Sequence, residues 1–259
     1  MIGVRLEMEG TIITGSKTIL HNLLRCVERA GLQIADICLQ PLAGGAVAIS
    51  KDEKSLGVGL IDIGGGSITV SIFEQGTLQA TSVIPVGGDH ITNDISIGLR
   101  TSTEEADRIK TKYGHAYIDE ASDEELFKVS IIGSNDQDEF SQYDLAHIIE
   151  ARMAEMFELV EREVRRLGYR ELPGGYVLTG GSVMLPGVLE LAREVLRSNV
   201  RIAIPDYIGV REPQYTTGVG LIQFAYKNVK IQGKEVAASV SDQYQEEKQA
   251  LKKEKGAPK

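Results

Sequence analysis

The stretch LIDIGGGSITVSI, residues 60–72, decides the fold. An apolar run ends around the carboxylate of Asp62, three glycines follow, and a second β-rich run begins at Ser67. Short β-rich runs separated by glycine turns are typical of an antiparallel meander. The sequence predicts its three strands at Gly57–Ile63, Ser67–Phe73 and Thr77–Pro85.

The three glycines Gly64, Gly65 and Gly66 are suited to holding a phosphate group. Backbone without side chains can approach a phosphate closely, and glycine reaches the conformations that point successive N–H groups inward. Asp62, where the strand meets the turn, is placed to hold a hydrated Mg²⁺ or to orient a water. A tight hairpin that needs glycine, with Asp62 as a turn residue, explains this motif equally well.

A second glycine turn follows a later apolar strand, in VLTGGSVMLPG at residues 177–187. Gly180, Gly181 and Ser182 come directly before a predicted helix, so a nucleoside could lie against bare backbone near the positive end of that helix. Taken alone, the motif is more simply an ordinary strand–helix connection with Ser182 as the cap.

Composition excludes several classes of protein. The 259 residues are 42% hydrophobic, enough to bury a core, and the net charge of −9 argues against a nucleic-acid partner. No signal peptide and no apolar run long enough to cross a bilayer is visible, which predicts a soluble, cytoplasmic chain.

Cys26 and Cys38 lack metal-type spacing and are expected to be buried, reduced thiols. The four histidines also lack metal spacing.

Apolar spacing and capping patterns predict the remaining elements. Helices are expected at about 20–30, Ala46–Glu53, Asp89–Leu99, Ser102–Tyr113, Tyr143–Leu167, Pro186–Leu196 and, as a buried helix with close packing at Gly218 and Gly220, Thr217–Phe224. Strands are expected at Val4–Ile13 (a pair), Ile34–Leu39, Lys128–Ile132, Tyr176–Thr179 and Arg201–Ile204, with a polar loop at Gly133–Glu139. From Glu235 onward the sequence predicts a solvated tail, with a marginal helix over Asp242–Lys255 left open.

Together, the two glycine turns resemble the actin-like ATPase superfamily: DIGGGS is similar to its second phosphate motif and VLTGGSVMLPG to its adenosine motif. The segment PQYTTGVGL (213–221) resembles its connecting helix, and PLAGGA (41–46) its earlier crossover. Within the superfamily the chain resembles the FtsA family of bacterial division proteins from residue 1 to about 233. The resemblance is carried by LGVGLIDIGGGSITVSIFEQGTL, VIPVGGDHITNDISIGL, EEADRIKTKYG and IIEARMAEMFELV.

The resemblance implies an α/β, actin-like (ribonuclease H-like) domain with a mixed five-stranded sheet flanked by helices, plus a remnant of an inserted α+β subdomain. It assigns residues 1–40 to that subdomain, 41–56 to a returning segment of the first actin-like domain, 57–233 to the second domain, about 97–168 to its upper lobe and 234–259 to a polar linker. Family members begin with another DxGxx phosphate loop and end in an amphipathic helix that binds the membrane. Neither is matched in this sequence, so we expect a fragment that by itself binds ATP weakly or not at all.

The resemblance also implies the site. Asp62 would lie near Mg²⁺ and the γ-phosphate, with Gly64, Gly65, Gly66 and Ser67 against the phosphates and Gly180, Gly181 and Ser182 along the nucleoside. Lys110, in DRIKTKYG, would lie on the upper-lobe helix that covers the adenine; its alternative is a solvated helix lysine.

Arg152, in IIEARMAE, would receive the acidic C-terminal tail of FtsZ, the tubulin-like division GTPase, because a guanidinium can bind both oxygens of a carboxylate. The alternative is an intrahelical pair with Glu155 or Glu158, which would contribute little.

The function implied is a nucleotide-binding scaffold rather than an enzyme, with weak ATPase activity left open. Such a protein tethers FtsZ filaments to the cytoplasmic membrane at the septum, self-associates into filaments and recruits division proteins, with ATP as a conformational switch. The alternatives are a sugar kinase or chaperone-type ATPase, whose sugar pocket or substrate domain the sequence does not show. Pilus- or ethanolamine-related actin-like proteins rank lower, since they are expected to lack the IIEAR-type helix.

Overall fold

The computed structural model describes Arg5, Glu7, Gly10 and residues 12–133 and 137–231. The chain divides into two compact units, residues 1–37 and 38–259. Half of the residues of the predicted strand pair at Val4–Ile13, and the whole predicted tail from Glu235 with its marginal helix, lie outside the described residues. The assignment of residues 1–40 to an inserted subdomain stays a prediction.

The first unit contains helix α1, Lys17–Arg29, as the apolar spacing predicted. The Ser16 hydroxyl accepts a hydrogen bond from the Ile19 amide, and Gly31, at φ +78°, follows the helix end. The prediction that Cys26 is buried is wrong, because it lies on α1, none of whose residues is buried; Cys38 is half-buried. The predicted strand at Ile34–Leu39 is also wrong, since this irregular segment has no partner strand in the described chain.

The second unit alternates helices and strands. Its helices are α2 (Gln40–Ala48), α3 (Lys51–Leu56), α4 (Gly88–Gly98), α5 (Thr103–Tyr113), α6 (Gln142–Arg166), α7 (Val188–Leu196) and α8 (Thr216–Ile231). Its strands are β1 (Val58–Ile63), β2 (Ile68–Glu74), β3 (Thr77–Ile84), β4 (Leu126–Ser130), β5 (Gln137–Ser141), β6 (Tyr176–Thr179) and β7 (Val200–Ile202). Short 3₁₀ turns lie at Ile118–Glu120, Gly181–Met184 and Pro213–Tyr215.

Five strands form one mixed sheet in the order β3-β2-β1-β6-β7. The first three make the predicted antiparallel meander, while β6 pairs parallel with β1 and β7 parallel with β6. Because side chains alternate along a strand, Ile61 and Ile63 of β1 face the larger core and Val58 and Leu60 face the smaller one. The predicted mixed five-stranded sheet flanked by helices is confirmed.

Helix α6 provides much of the larger core. A capping box begins it, with the Ser141 hydroxyl accepting from the Asp144 amide and the Asp144 carboxylate accepting from the Ser141 amide. One face is completely buried, as the spacing predicted: Ile149, Met153, Met156, Val160 and Val164.

Four other predictions were wrong in detail. The helix at Ala46–Glu53 is two helices, α2 and α3, because Ser50 caps a new one. Pro186 lies outside α7, which begins after Gly187. The polar loop at Gly133–Glu139 gives way to β5 at Gln137. Among the described side chains of α8 only Thr216 and Gly220 are buried, so it is not a buried helix.

Candidate functional site

The two glycine turns meet at one edge of the sheet. Strands β1 and β6 are parallel neighbours, so the turns that follow them emerge at the same edge. The Ser182 hydroxyl, in the turn after β6, donates a 3.1 Å hydrogen bond to the carbonyl oxygen of Gly64, in the turn after β1. The structure therefore brings together two segments that are more than a hundred residues apart in the chain.

A third glycine pair, which the sequence analysis treated only as the end of the meander, completes this edge. The Gly88 amide donates to the Gly64 carbonyl at 2.9 Å and the Asp89 amide to the Gly65 carbonyl at 2.8 Å. A β-carbon on Gly87 would lie 2.4 Å from the Gly65 carbonyl oxygen. Only glycine permits this approach, and the GGD of PVGGDH was the signal available in the sequence.

A cavity of about 460 Å³ lies between these turns and helix α5. Its size is that of a small-molecule site. Its lining comprises Gly65, Gly88, Asp89, Ile91, Lys110, Thr111, Gly181, Ser182, Met184, Leu185, Pro186 and Gln214. Four predicted site residues, Gly65, Lys110, Gly181 and Ser182, thus line one cavity.

Lys110 closes one side of this cavity. Its ammonium group donates to the Thr92 hydroxyl at 2.6 Å and pairs with the Asp107 carboxylate at 2.8 Å, and its side chain is only 15% exposed. The hydrogen bond from Lys110 lowers the pKa of Asp107. Lys110 is therefore an ordered cation between α5 and α4 and not a solvated helix lysine.

Asp62 does not line that cavity. It lies on the same face of β1 as Leu60, opposite to the face of Ile61 and Ile63. Its Oδ2 accepts from the Gln40 amide nitrogen at 2.8 Å and from the Thr217 hydroxyl at 3.1 Å, which joins β1 to α2 and α8. Gln40 was missed by the sequence analysis; its only signal was its position directly before the PLAGGA segment. Of the other predicted residues, Gly64, Gly66, Ser67 and Gly180 also lie outside the cavity lining.

The donor set around Asp62 is compatible with Mg²⁺. In the described chain no group of three or more His, Cys, Asp or Glu side chains could hold a metal. Mg²⁺, however, keeps several waters and needs only one or two carboxylates together with substrate phosphates. Asp62, with the Gln40 amide and Thr217 hydroxyl beside it, supplies one carboxylate of that kind.

The guanidinium of Arg152 already has two carboxylate partners in the structure. Its guanidinium makes a bidentate pair with Asp94 of α4, with Nε–Oδ2 at 2.5 Å and Nη2–Oδ1 at 3.1 Å, and a further contact with Glu155. The hydrogen bond to Asp94 raises the pKa of Arg152. The intrahelical alternative to Glu155 therefore exists, together with an interhelical pair that the sequence analysis missed.

The sheet and the arrangement of its turns are those of an actin-like protein. A structure of MreB5 of Spiroplasma citri bound to ADP matches with a TM-score of 0.69 and 17% identity, over 84% of this chain and 68% of that one. The MamK double helical filament matches with a TM-score of 0.62 and 15% identity, over 82% and 66%. These likenesses show the fold.

Sequence identifies the family. The family profile described as "Cell division protein FtsA" matches residues 59–220, so the chain belongs to the FtsA family. It is 63% identical over 243 residues to the cell division protein FtsA of Bacillus subtilis (strain 168), covering 94% of this chain and 55% of the relative. The chain thus spans about half the length of the curated relatives it matches. In the described part of the chain, no helix is long and apolar enough to cross a membrane.

Proposed function

We propose that this chain carries the nucleotide site of an ATP-responsive, actin-like scaffold of cell division. The observation that carries the proposal is the cavity bounded by the glycine turns and Lys110. Gly65, Gly88 and Gly181 line the cavity with backbone alone, which can contact phosphates or a nucleoside, and the Lys110 ammonium supplies positive charge. The MreB5 neighbour, which was solved bound to ADP, supports a nucleotide as the ligand.

Mg²⁺ belongs to the same proposal. Asp62 lies outside the cavity lining but beside Gly180, so an ion held there would neutralise a phosphate that extends past the glycine turns, and Gln40 and Thr217 would fix the orientation of the carboxylate. No turnover is required, because a scaffold needs only different affinities of ATP for its two conformational states. A phosphate-release assay separates this function from a sugar kinase or chaperone-type ATPase, which would show sustained turnover with substrate.

The nucleotide site is tested by titrating a fluorescent ATP analogue. We expect Lys110→Ala to weaken binding about tenfold, equivalent to about 1.4 kcal/mol, since it removes the cation at the cavity wall. Lys112→Ala, on the same helix and exposed, is the matched control and should bind like the wild type. The relatives are nearly twice as long as this chain. The titration is therefore run both on this chain and on the intact protein from the cell, and this chain is expected to bind the ATP analogue more weakly. Equal affinities for the two variants in the intact protein would refute the site.

The proposed partner is the acidic C-terminal tail of FtsZ, received by Arg152. A tail carboxylate would replace Asp94 on the guanidinium, since both compete for the same bidentate position. Arg152→Ala should weaken tail binding, whereas Asp94→Asn should strengthen it, because the guanidinium of Arg152 then loses its bidentate partner and keeps only the contact with Glu155. Arg108→Ala, an exposed arginine on α5, is the control. Tail affinity that falls with Asp94→Asn would contradict this competition.

The remaining roles extend the same scaffold: attachment of FtsZ filaments to the cytoplasmic membrane at the septum, self-association and recruitment of other division proteins. The MamK neighbour, solved as a double helical filament, supports self-association. Sedimentation of the intact protein with and without ATP tests it, and ATP-independent monomers would exclude it.

A further inference from the structure

The third glycine pair at the nucleotide cavity, Gly87 and Gly88, is held by a histidine that the function proposed above does not use. The Gly87 amide donates a 3.2 Å hydrogen bond to Nδ1 of His90, and the His90 amide donates to the Gly87 carbonyl oxygen at 3.0 Å. His90 is the third residue of α4, and its side-chain bond is the half of a capping box that remains when the N-cap residue is glycine. The imidazole therefore holds the turn from within the helix.

The position of this turn determines the shape of the cavity. Gly88 lines the cavity, donates its amide to the Gly64 carbonyl oxygen, and accepts the Lys110 ammonium on its own carbonyl oxygen at 3.4 Å. A β-carbon on Gly88 would lie 2.5 Å from Oγ of Ser182, in the turn after β6. A displacement of Gly88 would therefore change its contacts with both other turns and with the cation at the cavity wall.

The hydrogen bond from Gly87 fixes the protonation state of His90. A backbone amide can only donate, so Nδ1 must carry its lone pair and the ring proton must lie on Nε2. An imidazolium has a proton on both nitrogens and cannot accept this bond. Because Gly87 is buried, losing the acceptor of its amide would be costly. Histidine is the side chain that ordinarily gains its charge between pH 5 and 8.

The charged groups around α4 are engaged elsewhere. Asp89, next to His90 in the chain, lies over Gly65, where a β-carbon would be 2.9 Å from its Oδ1. In the described chain the imidazole of His90 has no ion pair, and its one side-chain hydrogen bond is that from Gly87. The other charged side chains of α4, and those that face it from α5 and α6, pair with one another: Asp94, Arg152, Glu155, Asp107 and Lys110.

We propose that His90 is a positioning residue of the nucleotide site, and that protonation of its imidazole releases the turn at Gly87 and Gly88 and weakens nucleotide binding. This rests on the nucleotide site proposed above. A helix cap alone would change the stability of the chain, whereas a positioning role makes the affinity for nucleotide depend on pH. The site then has its full affinity at neutral pH and loses affinity as the solution becomes acidic.

Asparagine at position 90 separates the hydrogen bond from the charge. Its Oδ1 accepts a hydrogen bond but gains no proton in this pH range. Helix α6 shows that a side chain of this length reaches the N-cap amide from the third helical position, since Asp144 accepts from the Ser141 amide at 2.9 Å. His90→Ala removes the acceptor at every pH. His147→Asn, at an exposed histidine of α6, is the matched control.

The test is titration of a fluorescent ATP analogue into the intact protein between about pH 8 and about pH 5.5. Phosphates also gain a proton in this range, so each affinity is divided by that of His90→Asn at the same pH. We expect this ratio to be about one for the wild type at the upper end and to fall about fivefold at the lower end, and His147→Asn should follow the wild type. His90→Ala should bind about fivefold more weakly than His90→Asn throughout.

Two further measurements decide the result. In this chain without nucleotide, the NMR amide resonance of Gly87 should move with the protonation of His90 in the wild type and stay in place in His90→Asn. Circular dichroism at both ends of the pH range should show that all variants are folded.

The proposal is overturned if the wild type and His90→Asn keep one ratio of affinities across the pH range, or if the Gly87 resonance does not respond to pH. Loss of binding in every variant at every pH would refute the nucleotide site itself, and this role of His90 with it.

Discussion

Gly180 has a φ of +97°, and the space around it excludes any side chain. A β-carbon there would lie 2.4 Å from the Ile63 carbonyl oxygen and 2.6 Å from Oδ1 of Asp62. The turn after β6 therefore packs directly on the end of β1, beside the carboxylate proposed for Mg²⁺. Gly66, in the neighbouring turn, has no atom within 4 Å of such a β-carbon and serves as its counterpart.

We expect Gly180→Ala to lower the free energy of unfolding by about 3 kcal/mol, because it combines a left-handed φ with a clash against backbone. Gly66→Ala should change it by less than about 0.5 kcal/mol. Urea denaturation followed by circular dichroism measures both. If the two substitutions cost the same, the close approach at Gly180 is not what the turn requires.

At the residue scale, the sequence was informative where the residue type itself is restricted. Glycine runs at strand ends are visible because few other residues fit there, so both turns were predicted. The direction of Asp62 was not, although strand alternation places it on the same face as Leu60. Which helices cover that face depends on long-range packing, and for that reason Gln40 and Thr217 were missed as its partners.

Helices α2 and α8 cross in close contact at Gly220. A β-carbon on Gly220 would lie 2.0 Å from the Ala43 carbonyl oxygen, whereas one on Gly218, in the same helix, would meet nothing within 4 Å. Close packing was predicted from the sequence at both glycines. Only Gly220 does so, and the outer face of α8 stays exposed, with Ile222 at 74%.

Substitution of these two glycines of α8 by alanine is expected to change the stability of the chain in opposite directions. Gly220→Ala should destabilise the chain by about 3 kcal/mol, because α2 and α8 must separate. Gly218→Ala should stabilise it by about 0.5–1 kcal/mol, because alanine is the better helix former at an open position. Thermal and urea denaturation distinguish the two, and destabilisation by both would mean that α8 is constrained at Gly218 as well.

A second element-level contact depends on pH. Glu53, in the capping box of α3, pairs with Arg201 of β7 at 2.7 and 2.8 Å, and this hydrogen bonding lowers the pKa of Glu53 to about 2. Since the folded pKa lies below the usual 4.5, the pair stabilises the protein fully above about pH 4.5 and is lost as pH falls towards 2.

The variant Glu53→Gln isolates this effect, because glutamine can keep the capping box while removing the charge. It should be less stable than the wild type by about 1 kcal/mol at pH 6, a modest value since the Arg201 side chain is 43% exposed. The difference should shrink when urea titrations are repeated near pH 2.5. An unchanged difference at both pH values would show that the ion pair is not the cause.

The predicted ends of helices agreed closely with the structure where capping residues and a clear apolar stripe mark them. Helix α6 was predicted within one residue at each end, because a buried stripe marks its length and capping residues mark its ends. Strand β5 was missed because QDEFS is polar and pairs only with β4, on one side. The burial of α8 was misjudged since an apolar helix can lie at a surface as well as in a core.

At the scale of the whole molecule, two cavities lie at opposite edges of one sheet. The glycine turns follow the carboxyl ends of β1 and β6, where ligands bind in open α/β sheets, and the second cavity, which Tyr176 lines, lies at the amino end of β6. The overall architecture was predicted through the family resemblance, because mixed pairing between distant strands leaves no local signal. The cavity at Tyr176 carries no motif and only the structure reveals it.

This arrangement predicts a defined pattern of hydrogen exchange. Addition of an ATP analogue to the intact protein should slow exchange at amides 64–66, 87–89 and 180–182 together, since all three segments surround one cavity. Amides 175–177, at the other edge, should be unaffected. Protection of one turn without the others, measured by mass spectrometry, would contradict a shared nucleotide site.

Helix α6 is one uninterrupted helix of 25 residues, which makes it about 37 Å long. It begins directly after β5, contacts α4 through Arg152 and Asp94 near its middle, and ends at Arg166. Over this length, a tilt of about 5° around one end displaces the other end by about 3 Å. A rigid-body tilt of α6 near the Arg152–Asp94 pair would therefore also move the residues at its carboxyl end.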